Sequence, residues 1–217
     1  MTGNPPADTV VLLHGIFRGK SSMKGMEHGL AQKGYRVFNI DYPSLKKPIE
    51  ELIGDVHAEI LQRRDDETDA LHFVGHSLGG LIIRAYLHKF KPAGAGRVVM
   101  IGTPNHGSEL ADIFADFPLY KMLYGPAGQQ LVTDQTAFRH IFGAVDYDLG
   151  VIAGDRSFDP VMSWFIPGAD DGKVSVASTK IDGMKDHITL RVSHTFMPSK
   201  KSVIDQTAHF LAHGKFF

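Results

Sequence analysis

The stretch Leu71–Leu87, LHFVGHSLGGLIIRAYL, decides the fold. It opens on the short apolar run of a buried strand (Leu71, Phe73, Val74). From Leu78 onward, Leu81, Ile82, Ala85 and Tyr86 fall at the i, i+3, i+4, i+7, i+8 spacing of an amphipathic helix. Between the two lies Gly75-His76-Ser77-Leu78-Gly79, a strand-to-helix turn of the form G-x-S-x-G, which is a nucleophile elbow. The glycines answer a steric demand, because a side chain at 75 or 79 would collide across so tight a bend. The bend is expected to push the Ser77 hydroxyl out above the end of a sheet and to aim the amide N–H of Leu78 into the same space.

Outward from that stretch, strand-like and helix-like runs alternate. Thr9–Leu13, Tyr35–Ile40, Arg97–Ile101, Leu149–Ala153 and Thr189–Ser193 read as further strands. Ser22–Gln32, Pro48–Arg64, Leu78–Phe90 and Ser199–His213 read as helices. From about residue 108 to 147 the alternation lapses into short apolar helical pieces broken by Pro118, Gly125, Pro126 and Gly128. The pattern predicts one α/β domain over 1–217, a mostly parallel sheet with helices on both faces. Function then belongs at the carboxyl ends of the strands.

Composition narrows the chemistry. There are 23 basic against 24 acidic residues and no basic run, so the sequence gives no reason to expect nucleic acid or an anionic membrane as partner. The absence of cysteine excludes disulfides, a thiolate nucleophile and a sulfur-ligated zinc site. No apolar run reaches membrane-spanning length and Met1–Pro6 lacks a signal core, so a soluble, cytoplasmic protein is the default expectation. No calcium-loop pattern occurs, and neither metal nor cofactor is expected. Gly15–Ser21 imitates a phosphate-binding loop, but only three residues separate Gly15 from Gly19-Lys20-Ser21, where that loop needs four.

Five segments in order, VVLLHGIF at Val10–Phe17, GHSLGG at Gly75–Gly80, GTPNHGSELAD at Gly102–Asp112, DDGKV at Asp170–Val174 and VSHTF at Val192–Phe196, together resemble an α/β-hydrolase of the small lipase/esterase kind. With so short an N-terminus, the first two strands of that fold are expected to be absent, leaving about six. In this fold the triad follows the chain order Ser, then Asp or Glu, then His. The insertion at about 108–147 then implies a helical lid over the nucleophile. Its apolar set (Phe114, Phe117, Leu119, Tyr120, Met122, Leu123, Tyr124) would suit an acyl chain or simply pack as core.

A serine hydroxyl is a weak nucleophile and needs an imidazole to take its proton, and a carboxylate must orient that imidazole. His194, after the last strand, is the candidate base. His187 precedes that strand, His209 and His213 ride the final helix, and His76 flanks the nucleophile. For the acid three positions stay open: Asp155 directly after its strand, and Asp170 and Asp171 in the following loop. The resemblance favours Asp171. It also assigns the second oxyanion amide to Ile16, partner to Leu78, with Phe17 the near alternative and a candidate substrate contact. His14 is expected to brace that loop, and Thr103, Asn105 and His106 to hold the start of the insertion. The implied activity is cleavage of a small-molecule or lipid carboxylic ester. Thioester or amide cleavage, acyl transfer and a non-catalytic binding module are the alternatives.

Overall fold

The computed structural model describes residues 8–64, 69–108, 111–112, 125–133 and 139–217. Six strands form one sheet: β1 (Thr9–Leu13), β2 (Arg36–Ile40), β3 (Leu71–His76), β4 (Ala95–Ile101), β5 (Leu149–Gly154) and β6 (Asp186–Leu190). They lie in the order β2-β1-β3-β4-β5-β6 and every neighbouring pair is parallel. The chain winds outward from β1 to β2, crosses back to β3, and then proceeds the other way. The winding therefore reverses between β1 and β3, where an open parallel sheet leaves a crevice beyond the carboxyl ends of its strands.

Four long helices cover the sheet: α1 (Lys24–Ala31), α2 (Ile49–Arg63), α3 (Leu78–Phe90) and α4 (Lys201–His213). Because successive strand residues point to opposite faces, β1 divides its side chains between two cores. Val11 and Leu13 pack with α2 and α3 among Leu52, Val56, Leu81 and Ile82. Val10 and Leu12 pack with α1 and α4 among Met26, Leu30, Val203 and Phe210. A strand covered on both sides is apolar at nearly every position, which is why TVVLL shows no alternation. Among the described residues no helix is long and apolar enough to cross a membrane.

One strand departs from the sequence reading. The last strand was expected at Thr189–Ser193, but β6 runs from Asp186 to Leu190, paired from Gly150↔Asp186 to Gly154↔Leu190. The chain bends directly after it, with the Val192 amide donating to the Leu190 carbonyl at 2.8 Å while the Val192 side chain tucks into the α1/α4 core. The alternation in Thr-Leu-Arg-Val-Ser thus runs from the last two residues of the strand into the bend. His187 sits inside the strand, opposite Val151, and His194 opens a 3-10 helix (His194–Ser199) past it. Of the insertion, 108, 111–112, 125–133 and 139–147 are described, and Phe114 through Tyr124 lie outside the described residues.

Candidate active site

The elbow shows why its glycines stand where they do. A Cβ on Gly75 would lie 2.5 Å from the Gly80 nitrogen, and one on Gly79 only 2.3 Å from the Leu13 carbonyl oxygen. Ser77 takes φ 54° and ψ −123°, a strained conformation for a residue with a Cβ. A serine at a helix N-cap ordinarily accepts a hydrogen bond from the first turn. Ser77 occupies the N-cap of α3 and its side chain makes no such bond. Leu78 is the first residue of α3, so its N–H has no carbonyl partner within the helix and stands at the positive end of the helix dipole.

His194 lies on the same side of the sheet. Its Nδ1 is 2.7 Å from Oδ2 of Asp171, a pair buried to 8% and 1% side-chain exposure. The other oxygen of Asp171 accepts the amides of Lys173 (3.0 Å) and Val174 (2.9 Å), and the His194 amide donates to the Asp171 carbonyl at 3.0 Å. The carboxylate is therefore fixed by three contacts, and a fourth holds its backbone. With Nδ1 committed to Asp171, Nε2 is the ring nitrogen left for the cavity. Of the other two carboxylates, Asp170 is turned to the Ser163 hydroxyl (2.7 Å) and the Gly172 amide (2.7 Å). Asp155 is exposed.

Ser77 and His194 line one cavity of about 320 Å³, together with Gly15, Ile16, Phe17, Pro104, Leu131 and Val174. The loop after β1 turns at Gly15–Arg18, closed by the Arg18 amide on the Gly15 carbonyl at 3.3 Å. Phe17 holds φ 58° at its third position, the signature of a type II turn and costly for a bulky residue. The turn brings Ile16 and Phe17 to the cavity wall. His14 braces it from below. Its Nδ1 lies 2.8 Å from the Gly15 carbonyl, its ring stacks on Tyr42 at 4.1 Å, and the Tyr42 hydroxyl donates to the His14 carbonyl. Burial pushes the His14 pKa down against the pull of Asp41. The Nε2 of His14 faces Asp41 Oδ1 at 3.2 Å and the Tyr42 amide at 3.4 Å.

Two contacts had no clear signal in the sequence. Nε2 of His76 lies 3.0 Å from the carbonyl oxygen of His194, with the two rings 4.8 Å apart, so the residue beside the nucleophile also holds the candidate base's backbone. Burial first, and then the nearby His194, drive the His76 pKa well below its ordinary value. Its Nε2 therefore carries the N–H that the carbonyl needs. Arg84 is the second. Buried on α3, it places its guanidinium 4.8 Å over the Phe142 ring and donates to Asn105 Oδ1 at 3.3 Å. Asn105 in turn donates to the Thr179 carbonyl at 2.8 Å. A single cation inside the apolar run Leu81–Leu87 was the only hint of that anchor. Asn105 and His106 thereby tie the loop after β4 to the segment around Ser178 and Thr179, where the His106 amide donates to the Ser178 carbonyl at 3.1 Å, and the Thr103 carbonyl accepts the Asn105 amide at 2.9 Å.

The model of the alpha/beta hydrolase family matches residues 10–206. Among solved structures the chain is similar to the mature form of Bacillus licheniformis lipase BlEst2, with TM-score 0.76 and 21% identity over 95% of this chain and 90% of that one. It is also similar to the metagenomic carboxyl esterase MGS0156, with TM-score 0.69 and 19% identity over 89% and 68%. Phospholipase PlaB from Legionella pneumophila gives TM-score 0.63 at 16% identity over 80% of this chain and 46% of that one. At such identities the likeness is one of fold. No curated protein sequence matches.

Proposed function

The chain belongs to the alpha/beta hydrolase family, and from that premise we propose that it is a single-domain serine hydrolase that cleaves carboxylic esters through an acyl-enzyme. The observation that carries the reading is the convergence of Ser77, on its strained turn, and the Asp171-bound ring of His194 on one cavity.

In the first half-reaction the Ser77 hydroxyl attacks the ester carbonyl while Nε2 of His194 takes its proton. Asp171 holds Nδ1–H and offsets the charge of the imidazolium. Negative charge gathers on the carbonyl oxygen, where the amides of Ile16 and Leu78 receive it; one such donor is worth about 10²–10³ in rate. His194 then returns its proton to the departing alcohol. In the second half water gives a proton to the same nitrogen and attacks the acyl carbon, and His194 then passes that proton to the Ser77 oxygen as the bond to it breaks and the acid leaves. Each step balances with protein groups and water alone. Phe17, Leu131 and Val174 give the cavity an apolar wall suited to the carbon skeleton of a small-molecule or lipid ester.

The test is turnover of nitrophenyl esters of graded acyl length by the wild type and by Ser77→Ala. A burst of nitrophenol equal to the enzyme concentration, lost in Ser77→Ala, is the expected result. Ester turnover that survives the substitution would overturn the assignment.

A further inference from the structure

Large apolar side chains are seldom left in water, and apart from Leu61 and Phe217 the exposed ones among the described residues are gathered at one end. Of the described residues, the exposed ones include Trp164 at 86%, Val161 at 65%, Phe158 at 64%, Phe196 at 51% and Phe17 at 47%. All five stand on the loops that leave the carboxyl ends of β1, β5 and β6, the end that carries Ser77. Two of the rings meet and a third reaches the mouth. Phe158 meets Phe196 edge-on at 6.4 Å, Phe196 is two residues past His194, and Phe17 lines the cavity itself. Apolar side chains gathered at one end in this way mark a surface that meets something other than water.

The patch is held out on a fixed mount. Pro160–Trp164 is a short helix that Asp159 caps through the Met162 amide at 3.1 Å, and Ile166 anchors it in the core. Ser163 donates to Asp170 at 2.7 Å, tying the helix to the loop of the proposed acid.

Charge on the same loops points to the occupant. Arg18, Arg156, Lys173 and Lys200 are exposed there, against Asp155 and Asp159, although the whole chain carries a net −1. The Arg156 guanidinium lies 4.6 Å over the Phe158 ring, a long cation laid along an aromatic with its charge kept at the water's edge. Aromatic side chains with cations among them fit the boundary between acyl chains and anionic headgroups. We propose that this end of the molecule docks on the surface of an anionic lipid aggregate, with Trp164, Val161 and Phe158 entering the headgroup layer and the cavity mouth turned toward it. The cations are scattered along the sequence, and only the fold brings them to one end.

Trp164 is the only tryptophan in the chain, so its fluorescence reports the docking directly. The experiment uses full-length Ser77→Ala protein, which keeps the proposed chemistry out of the readout, with vesicles of phosphatidylcholine alone and of phosphatidylcholine with phosphatidylglycerol. The expected result is a blue shift, quenching by brominated acyl chains and co-sedimentation with the anionic vesicles, weakened by salt. Val161→Asp and Phe158→Asp, placed on the Ser77→Ala background, should lower partitioning by about tenfold or more. On the active enzyme they should leave turnover of a short soluble ester unchanged, which shows that they fold. An unshifted emission with both vesicles, equal binding to both, or a shift that needs only protein concentration and comes with a dimer would each overturn the docking. Loss of ester turnover in the wild type would sink the proposed hydrolase and leave the vesicle result untouched.

Discussion

The Nδ1 of His194 and the Oδ2 of Asp171 lie 2.7 Å apart, and two backbone amides on the other oxygen keep that carboxylate from rotating away. Asparagine at 171 would keep the shape, but presenting its oxygen to the ring would turn its NH₂ toward the Lys173 and Val174 amides. The opposite rotamer would present NH₂ to Nδ1 and favour the wrong tautomer. Asp171→Asn is therefore expected to lower kcat by about 10³–10⁴ with little change in Tm. Asp155→Asn, at an exposed side chain, should leave kcat as it is. Steady-state kinetics on a nitrophenyl ester decide the matter, and an inactive Asp155→Asn beside an active Asp171→Asn would reverse the assignment.

Acid should unfold this protein through its buried histidines. Burial lowers the pKa of His14 and His72 from 6.5 and partial burial that of the half-buried His187, and burial lowers that of His76 well below it, with nearby His194 adding to the effect. In the unfolded chain each binds its proton near pH 6.5, whereas the folded protein resists until lower pH. The unfolded state thus holds more protons in that window, and stability rises with pH through it. Folding free energy should be level above about pH 6.5 and fall steadily below it, by about 1.4 kcal/mol for each unit of depression once pH is under the folded value. Urea unfolding from pH 7.5 to 4.5 measures this. His76→Gln, which cannot charge, should flatten the slope, and an unchanged slope would show that His76 is not responsible.

How far the sequence carried the reading depended on whether a signal was local. GHSLGG announced its own turn, because a steric demand explains glycines at 75 and 79, and TVVLL announced a strand. The bend after β6 was illegible, since Thr-Leu-Arg-Val-Ser alternates as a strand would and the pairing that ends the ladder at Leu190 lies in β5. The three aspartates could not be separated by topology either. Asp155 follows its strand directly, yet a loop of sixteen further residues returns Asp171 to His194. His76, Tyr42 and Arg84 act through backbone carbonyls and ring faces far away in the chain, contacts that leave no spacing to read.

Two glycines should fail in different ways. A Cβ at Gly79 would stand 2.3 Å from the Leu13 carbonyl oxygen and 2.7 Å from that of His14. Both are backbone atoms of β1 and its loop and cannot swing aside. Gly79→Ala should destabilise at or beyond the roughly 1–3 kcal/mol of ordinary overpacking. At Gly102, φ is 57° and a Cβ would sit 3.1 Å from Asp171 Oδ2 and from His194 Nδ1. There the left-handed backbone costs about 1–2 kcal/mol, while the displaced pair should cost turnover much more. Thermal unfolding and kcat measured on both variants separate them. Equal stability losses with no loss of kcat in Gly102→Ala would contradict the account.

The loop bearing Ile16 rests on a hydroxyl. Tyr42 donates to the His14 carbonyl and its ring lies flat on the His14 ring, 4.1 Å away and 5° from parallel. Tyr42→Phe keeps the stack and deletes only the donor, leaving a buried carbonyl short of a partner at a cost of about 1–3 kcal/mol. The Gly15–Arg18 turn is short and strained at Phe17, so a carbonyl that shifts toward water carries the Ile16 amide with it. Misplacing one oxyanion donor cannot cost more than deleting it, about 10²–10³. A fall of about ten- to a hundredfold is expected. It should appear in kcat with KM nearly unchanged, because the donor acts on charge that exists only in the transition state. If KM rises instead while kcat holds, the loop grips the ground-state ester, and the Ile16 amide is no oxyanion donor.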